Sequence, residues 1–248
     1  DKIKASARKQ PITITPSVLD NSVAEHTIFL LGSVVRKIAV SNAKLKGGIW
    51  QKSQGTELAG KRLALIGCGA IGKRVGKIAS SGFSMKVTGF DKADLDSAAL
   101  KNENGIELAR SPLEQVLANA DVVSVHLPAI EQTKNFVNAE FLSMMKPSAV
   151  LINTSRGSIV DEEALYDSIA AGDISGAGVD VYKNEPYQPR QEDKDLRKLE
   201  NVVMTAHLGS STKEASDRMA ESVLKNIRLW AQGKFKQMDI VNAESISF

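Results

Sequence analysis

At 248 residues the chain is long enough to bury a sizeable core, as one large domain or two small ones. Its 42% hydrophobic and 25% charged residues are ordinary globular values, and a formal charge of +3, spread along the chain without an arginine- and aromatic-rich module, points to no nucleic-acid partner. The single cysteine excludes an internal disulfide framework and a thiolate metal cluster, and Arg36 and Lys37 interrupt the apolar run at Val34-Val35, which disfavours a membrane span.

The chain opens without an initiator methionine on a short, polar, lysine-rich stretch, Asp1 to Gln10. Ile12-Thr-Ile-Thr-Pro16 then reads as a short strand with no partner nearby, as if part of something larger. Ser22-Val-Ala-Glu25 has the reciprocal capping spacing, and predicts a helix through Ile28, Leu31, Val35 and Ile38 to about Lys44. Its apolar surface is too broad for a solvated helix, so a second face is available to a partner. His26 reads as a helix-surface or interfacial residue. Lys46 to Glu57 is an irregular arm, with Trp50 as an anchor for domain packing or subunit contact.

Arg62 to Asp91 carries the strongest signal. An apolar run ends in Gly67-Cys68-Gly69-Ala70-Ile71-Gly72, helical spacing follows through Val75, Ile78 and Ala79, and a second extended run closes at Asp91. A strand that turns at glycine leaves the next helix with free N–H groups that can hold a pyrophosphate. Gly67 permits the turn, Gly69 admits the phosphates, and Gly72 lets helix and strand pack closely. Asp91 stands where a carboxylate can accept hydrogen bonds from an adenosine ribose and repel a 2′-phosphate, so the expected cofactor is NAD rather than NADP. A structural strand–turn–helix with a solvated Asp91, or a methyltransferase with a different glycine loop, are the competing readings.

Beyond Asp91, residues 106–109 read as a strand. Ser111-Pro-Leu-Glu114 opens a helix with Ser111 as N-cap and Pro112 in first position. Strands follow at 121–127, 149–153, 177–181 and 201–205, with helices at 139–145 and 161–170 between them. Ser211-Thr-Lys-Glu214 caps a last amphipathic helix through Met219, Val223, Ile227 and Trp230, stopped near Gly233. Near-continuous apolar strands alternating with helices predict an α/β fold, a doubly wound parallel sheet of the Rossmann-like dinucleotide-binding kind.

In such a sheet ligands bind outside the carboxyl ends of the strands. The polar residues that fall there are His126, Thr154-Ser155-Arg156, Asp180 with Glu185 beyond it, and His207. Arginine offers a planar fork for a carboxylate, histidine exchanges a proton near neutrality, and a glutamate beside it favours the imidazolium. Together they suit carbonyl reduction next to a carboxylate. The bland readings are a salt-bridged turn for Arg156, a core or cap histidine for His207, a loop acid for Glu185 and simple packing for His126. Three histidines without clustered spacing predict no catalytic metal.

In order along the chain, SVAEHTIFLLG, ELAGKRLALIGCGAIG, VVSVHLPAIEQT, INTSRGSIVDEEAL, GAGVDVYKNEP and TAHLGSST resemble the successive signatures of the NAD-dependent D-isomer-specific 2-hydroxyacid dehydrogenases. The resemblance covers nearly the whole chain, and TAHLGSSTKEA is most similar to the phosphoglycerate dehydrogenase branch. It implies that Arg156 binds the substrate carboxylate, that His207 is the acid/base and that Glu185 is its partner. It places Asp180 near the nicotinamide carboxamide, and Leu127, Pro128, Thr133, Thr154, Ser155 and Gly209 with Arg156 and His207 along the cofactor cleft. It implies a small 2-hydroxy or 2-keto acid substrate and a homodimer through the 23–40 helix and the arm; the interrupted apolar run at Val34-Val35 leaves no membrane partner expected. Dehydrogenase-like transcriptional corepressors share these motifs and give the alternative function, an NAD-sensing interaction module. Residues 1–20 are expected to be a remnant of a smaller substrate domain, residues 21–210 the NAD-binding domain, and residues 211–248 a crossover helix and tail returning to the first part. Nothing resembles a signal peptide, and the default location is cytoplasmic.

Overall fold

The computed structural model describes residues 11–109 and 111–242. Its contacts divide the chain into two units, Val23–Gly209 and Asp1–Ser22 with Ser210–Phe248.

The larger unit is built on a seven-stranded parallel sheet: β1 (Arg62–Ile66), β2 (Lys86–Phe90), β3 (Ile106–Leu108), β4 (Val122–Val125), β5 (Val150–Asn153), β6 (Gly176–Val179) and β7 (Val202–Met204). The spatial order is β3-β2-β1-β4-β5-β6-β7. The chain therefore winds outward from β1, returns to lay β4 beside it, and winds out the other way. That reversal opens a crevice between the carboxyl ends of β1 and β4.

Alternate residues feed two separate cores. Ala64, Ile66, Val123, Val125 and Leu151 pack on one face of the sheet, and Leu63, Leu65, Val122, Val150 and Ile152 on the other. Burial on both faces is why the strands read as continuous apolar runs.

The helices are α1 (Asp20–Val35), α2 (Ile38–Lys46), α3 (Ala70–Phe83), α4 (Ser97–Asn104), α5 (Leu113–Asn119), α6 (Ala139–Ser143), α7 (Glu162–Ala171) and α8 (Lys213–Ala231). Several boundaries correct the sequence reading. The first helix starts at Asp20, so Ser22 lies inside it and is no N-cap. It also ends at Val35, about nine residues short of that reading, breaking at Lys37, whose φ is 54°. The Val35 carbonyl, which a continuous helix would spend on its own next turn, accepts the Thr56 N–H of the arm at 2.9 Å instead. At α5 the N-cap is Pro112 rather than Ser111, and at α8 it is Thr212 rather than Ser211, with its hydroxyl accepting the Ala215 N–H. α4 was not anticipated, although Asp96 caps its start and Gly105 ends it in the left-handed region. Trp50 is 82% exposed, which removes the reading of it as an anchor within its own domain.

In the smaller unit Thr13 bridges Ile240 in antiparallel sense, so 12–14 finds its partner at the far end of the sequence. Asn226 of α8 is buried and ties both strands of this bridge, donating to the Ile14 carbonyl and accepting the Asp239 N–H, each at 3.2 Å. Along α8, Met219, Val223, Leu224, Ile227 and Trp230 are exposed.

β6 shows how packing overrides composition. Glycines weaken a strand, yet Gly176-Ala-Gly-Val179 pairs on both sides. A Cβ at Gly178 would lie 2.7 Å from Cγ of Leu30 on α1 and 2.9 Å from Cδ1 of Ile152, both buried. The missing side chain is the space that Leu30 fills. Gly178→Val is expected to destabilise the protein by about 1–3 kcal/mol through overpacking, read as a lower urea midpoint. An unchanged midpoint would reject the packing of α1 on β6.

Candidate active site

The glycine turn shapes the crevice. Gly67 has φ 100°, a conformation that favours glycine, and a Cβ there would meet the His126 carbonyl oxygen at 2.6 Å. Its N–H donates to the Phe90 carbonyl at 2.9 Å, and the His126 N–H donates to the Ile66 carbonyl at 2.8 Å. These bonds draw the ends of β1, β2 and β4 together. α3 begins after Gly69, which brings no capping side chain, and a Cβ on Gly69 would meet nothing within 4 Å. The start of α3, at exposed Gly69 and Ala70, thus presents backbone to open space, as a pyrophosphate requires. Gly72 lies against the turn itself, its Cβ position 2.3 Å from the Gly67 carbonyl oxygen. The close approach of helix to sheet comes further along, where Gly76 faces Ile106 and Leu65.

Asp91, just past β2, accepts the Cys68 N–H at 2.7 Å and the Ala93 N–H at 2.9 Å. It therefore holds the turn as well as placing a negative charge beside it. Burial, reinforced by that charge, pushes the Cys68 thiol up to about 12, so it stays protonated. His126 lies beyond β4 with Nε2 2.9 Å from the Ser124 hydroxyl. Burial brings its imidazole down to about 4, which leaves it neutral near neutrality and unable to serve as the proton donor there.

The other residues of the cleft are less uniform than the motifs imply. Leu127 is half-buried and Pro128 exposed. The Thr133 hydroxyl accepts the Ile130 N–H at 3.0 Å and lies 2.6 Å from the Pro128 carbonyl, so it is committed to closing its own loop. Thr154 is buried with its hydroxyl 2.7 Å from that of Thr27 on α1. Thr27 spends its proton on the Val23 carbonyl, so Thr154 is the donor and its polar end faces α1. Ser155 donates its N–H and its hydroxyl to Asn153 Oδ1. Asn153 Nδ2 donates to the Arg156 carbonyl at 3.1 Å, which fixes the backbone under an exposed Arg156 guanidinium. Because β5 lies between β4 and β6, the turn that carries Arg156 falls between those of His126 and Asp180, and Arg156 Nη1 donates to the Ser155 carbonyl at 2.7 Å.

Past β6 and β7 the geometry is most specific. His207 Nδ1 lies 2.8 Å from Glu185 Oε2. Burial alone would raise the Glu185 carboxyl, but hydrogen bonds from His207 and from the Tyr182 N–H more than offset it and hold it below its usual range. His207 itself has φ 54°, left-handed and uncommon for a residue with a side chain. Its N–H donates to the Asp180 carbonyl at 2.8 Å. The Asp180 carboxylate, with the residue only 1% exposed, accepts the Leu208 N–H at 2.7 Å and the Gly209 N–H at 2.9 Å. The Thr205 hydroxyl donates to Asp180 at 2.6 Å, and His26 Nε2 lies 3.2 Å from the same oxygen. Burial would raise this carboxyl, yet the bonds from His26, Thr205, Leu208 and Gly209 bring it to about 2.

His26 is therefore no surface histidine. It and Thr205 are the site residues that sequence reasoning missed. The available signal was a histidine inside the apolar stripe of SVAEHTIFLL, which calls for a polar partner across the packing interface.

A family model described as D-isomer specific 2-hydroxyacid dehydrogenase, NAD binding domain, matches residues 28–209. The chain belongs to that family. Its cofactor is NAD, and it is an oxidoreductase of the 2-hydroxyacid dehydrogenases. A glyoxylate reductase of Thermococcus litoralis is 36% identical over 98% of this chain and 73% of its own length. A D-3-phosphoglycerate dehydrogenase of Mycobacterium leprae is 37% identical over 97% of this chain and 44% of its own length. Among solved structures, a D-lactate dehydrogenase of Aquifex aeolicus, complexed with NAD and lactic acid, superposes with a TM-score of 0.86 at 28% identity, covering 98% of this chain and 76% of that one.

Family membership sets the cleft apart from a second concavity. A cavity of about 480 Å³ is lined by Val35, Lys44, Thr56, Leu58, Asp121 and Glu200, among others, at the amino ends of the strands. That is the wrong end of the sheet for cofactor chemistry. Among the described residues no helix is long and apolar enough to cross a membrane.

Asp91→Asn keeps an oxygen for the Cys68 N–H but removes the repulsion of a 2′-phosphate. The ratio of NADPH to NADH dissociation constants is expected to shrink by roughly tenfold or more, measured by fluorescence titration. Tighter NADPH than NADH binding by the unmodified protein would contradict the assignment.

Proposed function

We propose that the enzyme interconverts a D-2-hydroxy acid and its 2-keto acid, with Arg156, Glu185 and His207 as the reacting-site residues. The observation that carries this reading is the His207–Glu185 pair, 2.8 Å apart, at the carboxyl end of the same sheet as the glycine turn. NADH, when bound, supplies the hydride for C2 of the keto acid. Gly67, Gly69, Ala70, Ile71, Gly72 and Asp91 hold its adenosine and pyrophosphate half, and His126, Leu127, Pro128, Ser155 and Gly209 line the cleft beyond.

His207 Nδ1 is engaged by Glu185, which leaves Nε2 to give its proton to the oxygen of the developing alkoxide. Glu185 stabilises the imidazolium and fixes the ring. Arg156 has a planar fork for the carboxylate, and its charge lowers the energy of the negative oxygen next to it. The relatives named for glyoxylate and for D-3-phosphoglycerate share a carboxylate next to the reacting carbon. We take a short acid of this kind as the substrate, with D-3-phosphoglycerate as the first to test. We assign residues 21–210 to the NAD-binding part, and 1–20 with 211–248 to the substrate side; the 12–14 pairing with 239–241 supports this grouping. A cytoplasmic setting suits the one buried, protonated cysteine.

Three substitutions, assayed in the full product of the gene, are expected to fail differently. His207→Ala loses roughly 10²–10⁴-fold in turnover with NADH affinity nearly intact. Arg156→Lys weakens ketoacid kcat/KM by about 10- to 100-fold, because a point charge cannot reproduce the fork. Glu185→Gln lowers kcat for reduction by roughly tenfold or more with NADH affinity intact, since the ring loses the charged acceptor that fixes Nδ1. Near-wild-type turnover in His207→Ala removes the catalytic assignment, and undiminished kcat in Glu185→Gln removes that residue's role.

The same reading includes a homodimer. Phe29, Ile38, Leu45, Ile49 and Trp50 are all exposed apolar side chains on α1, α2 and the arm, more than scattered surface residues explain. A two-fold pairing would cover them in both copies at once. Light scattering at tens of micromolar should report twice the chain mass, and Trp50→Asp should halve it. A monomer in the unmodified protein rejects the pairing.

A further inference from the structure

We infer that His26, on α1, is a positioning residue for His207 and acts through Asp180. The inference rests on the acid/base reading of His207 and adds a residue that the motifs alone leave on the helix surface.

The Thr205 hydroxyl has one proton and places it on Asp180 Oδ1 at 2.6 Å. Toward His26 it then offers only a lone pair. Asp180 Oδ1, 3.2 Å from His26 Nε2, is an acceptor as well, and Thr205 Oγ1 is 3.1 Å from the same nitrogen. Between two acceptors Nε2 must carry a proton, so His26 is a donor bridging Thr205 and Asp180. The carboxylate so anchored has four donors from two segments: His26 on α1, and Thr205 with the Leu208 and Gly209 N–H groups beyond β7.

The last two come directly after the strained residue. His207 is left-handed at φ 54°, and its own N–H is tied to the Asp180 backbone carbonyl. A histidine in that region keeps the conformation when its surroundings over-determine it. Here Asp180 supplies the surroundings on both sides, through its carbonyl before the ring and its carboxylate after it. Without His26, Oδ1 loses its donor from the helix, and the carboxylate is free to rotate away from Leu208 N–H. The imidazole of His207 then loses its fixed direction although Glu185 is untouched.

The test uses amide hydrogen exchange together with kinetics, on His26→Ala and on His26→Gln, whose side-chain amide keeps a donor. His26→Ala is expected to speed exchange at Leu208 and Gly209 by about tenfold and to lower kcat by about tenfold, with NADH affinity unchanged. His26→Gln should restore most of both. Should His26→Ala fail to fold, Thr205→Val removes the neighbouring donor isosterically and is expected to give the same two changes. Unchanged exchange at 208 and 209 overturns the inference. So does faster exchange with undiminished kcat while His207→Ala is inactive. If His207→Ala retains turnover, the acid/base reading falls instead, and exchange alone then decides whether His26 holds the loop.

Discussion

A buried carboxylate is stable only when donors surround it, and the site depends on that constraint being met at Asp180. The donors that satisfy it come from α1, from the residue after β7 and from two consecutive backbone N–H groups. Removing a charge from water is costly, so these four groups are not free to drift apart. The same requirement that keeps Asp180 ionised therefore fixes the course of residues 205–209 and the left-handed turn at His207. Glu185 lives under a different regime. It is more exposed, shares one oxygen with His207 and the other with the Tyr182 N–H, and so remains able to respond to the charge on the ring. Two carboxylates five residues apart thus divide the work, one holding backbone and the other facing the imidazole.

The parallel sheet explains how residues so distant in sequence meet. Each strand starts at one edge and ends at the other, so everything immediately after a strand collects on one side. The glycine turn, Asp91, His126, Arg156, Asp180 and His207 follow β1, β2, β4, β5, β6 and β7 in that order. The reversal between β1 and β4 leaves room at the centre, where Gly67 and His126 are in near contact. At the amino ends the sheet meets the arm and α2 instead, and the cavity there is walled by Lys44, Glu200 and Asp121, charges paired with one another or with Lys146.

The strands and the glycine turn were legible because each follows from one local rule. Burial on two faces writes VVSV and AVLI, and a sharp turn before a helix needs glycine. Caps were less legible, since serine, threonine and proline one residue apart satisfy the same pattern: Ser111 and Ser211 each yielded to the next residue. The break at Lys37 was not legible. It depends on Thr56, nineteen residues away, taking the Val35 carbonyl, and no periodicity carries that information. Among the site residues, Arg156, Glu185 and His207 stood out by chemistry, whereas Thr133 and Thr154 look alike in a motif but turn their hydroxyls toward the protein. His26 was hidden for the same reason as the break, because its partner lies on another element.

α1 shows why such partners matter. Ala24, Ile28 and Leu31 are buried in the core on one face of the sheet, and Leu30 fills the space left by Gly178. His26 and Thr27 reach the network around Asp180 and the hydroxyl of Thr154. Phe29 is 71% exposed. One helix therefore touches β6 through packing, the loops after β5 and β7 through hydrogen bonds, and solvent through an aromatic ring. Because Leu30 is locked against β6 and Gly178 stands two residues before Asp180, the apolar contact sets how far His26 stands from its carboxylate. A hydrogen bond tolerates only a few tenths of an ångström of such displacement. The polar geometry at the strand ends is in this sense inherited from the packing beneath it, and glycine in β6 is where the two meet.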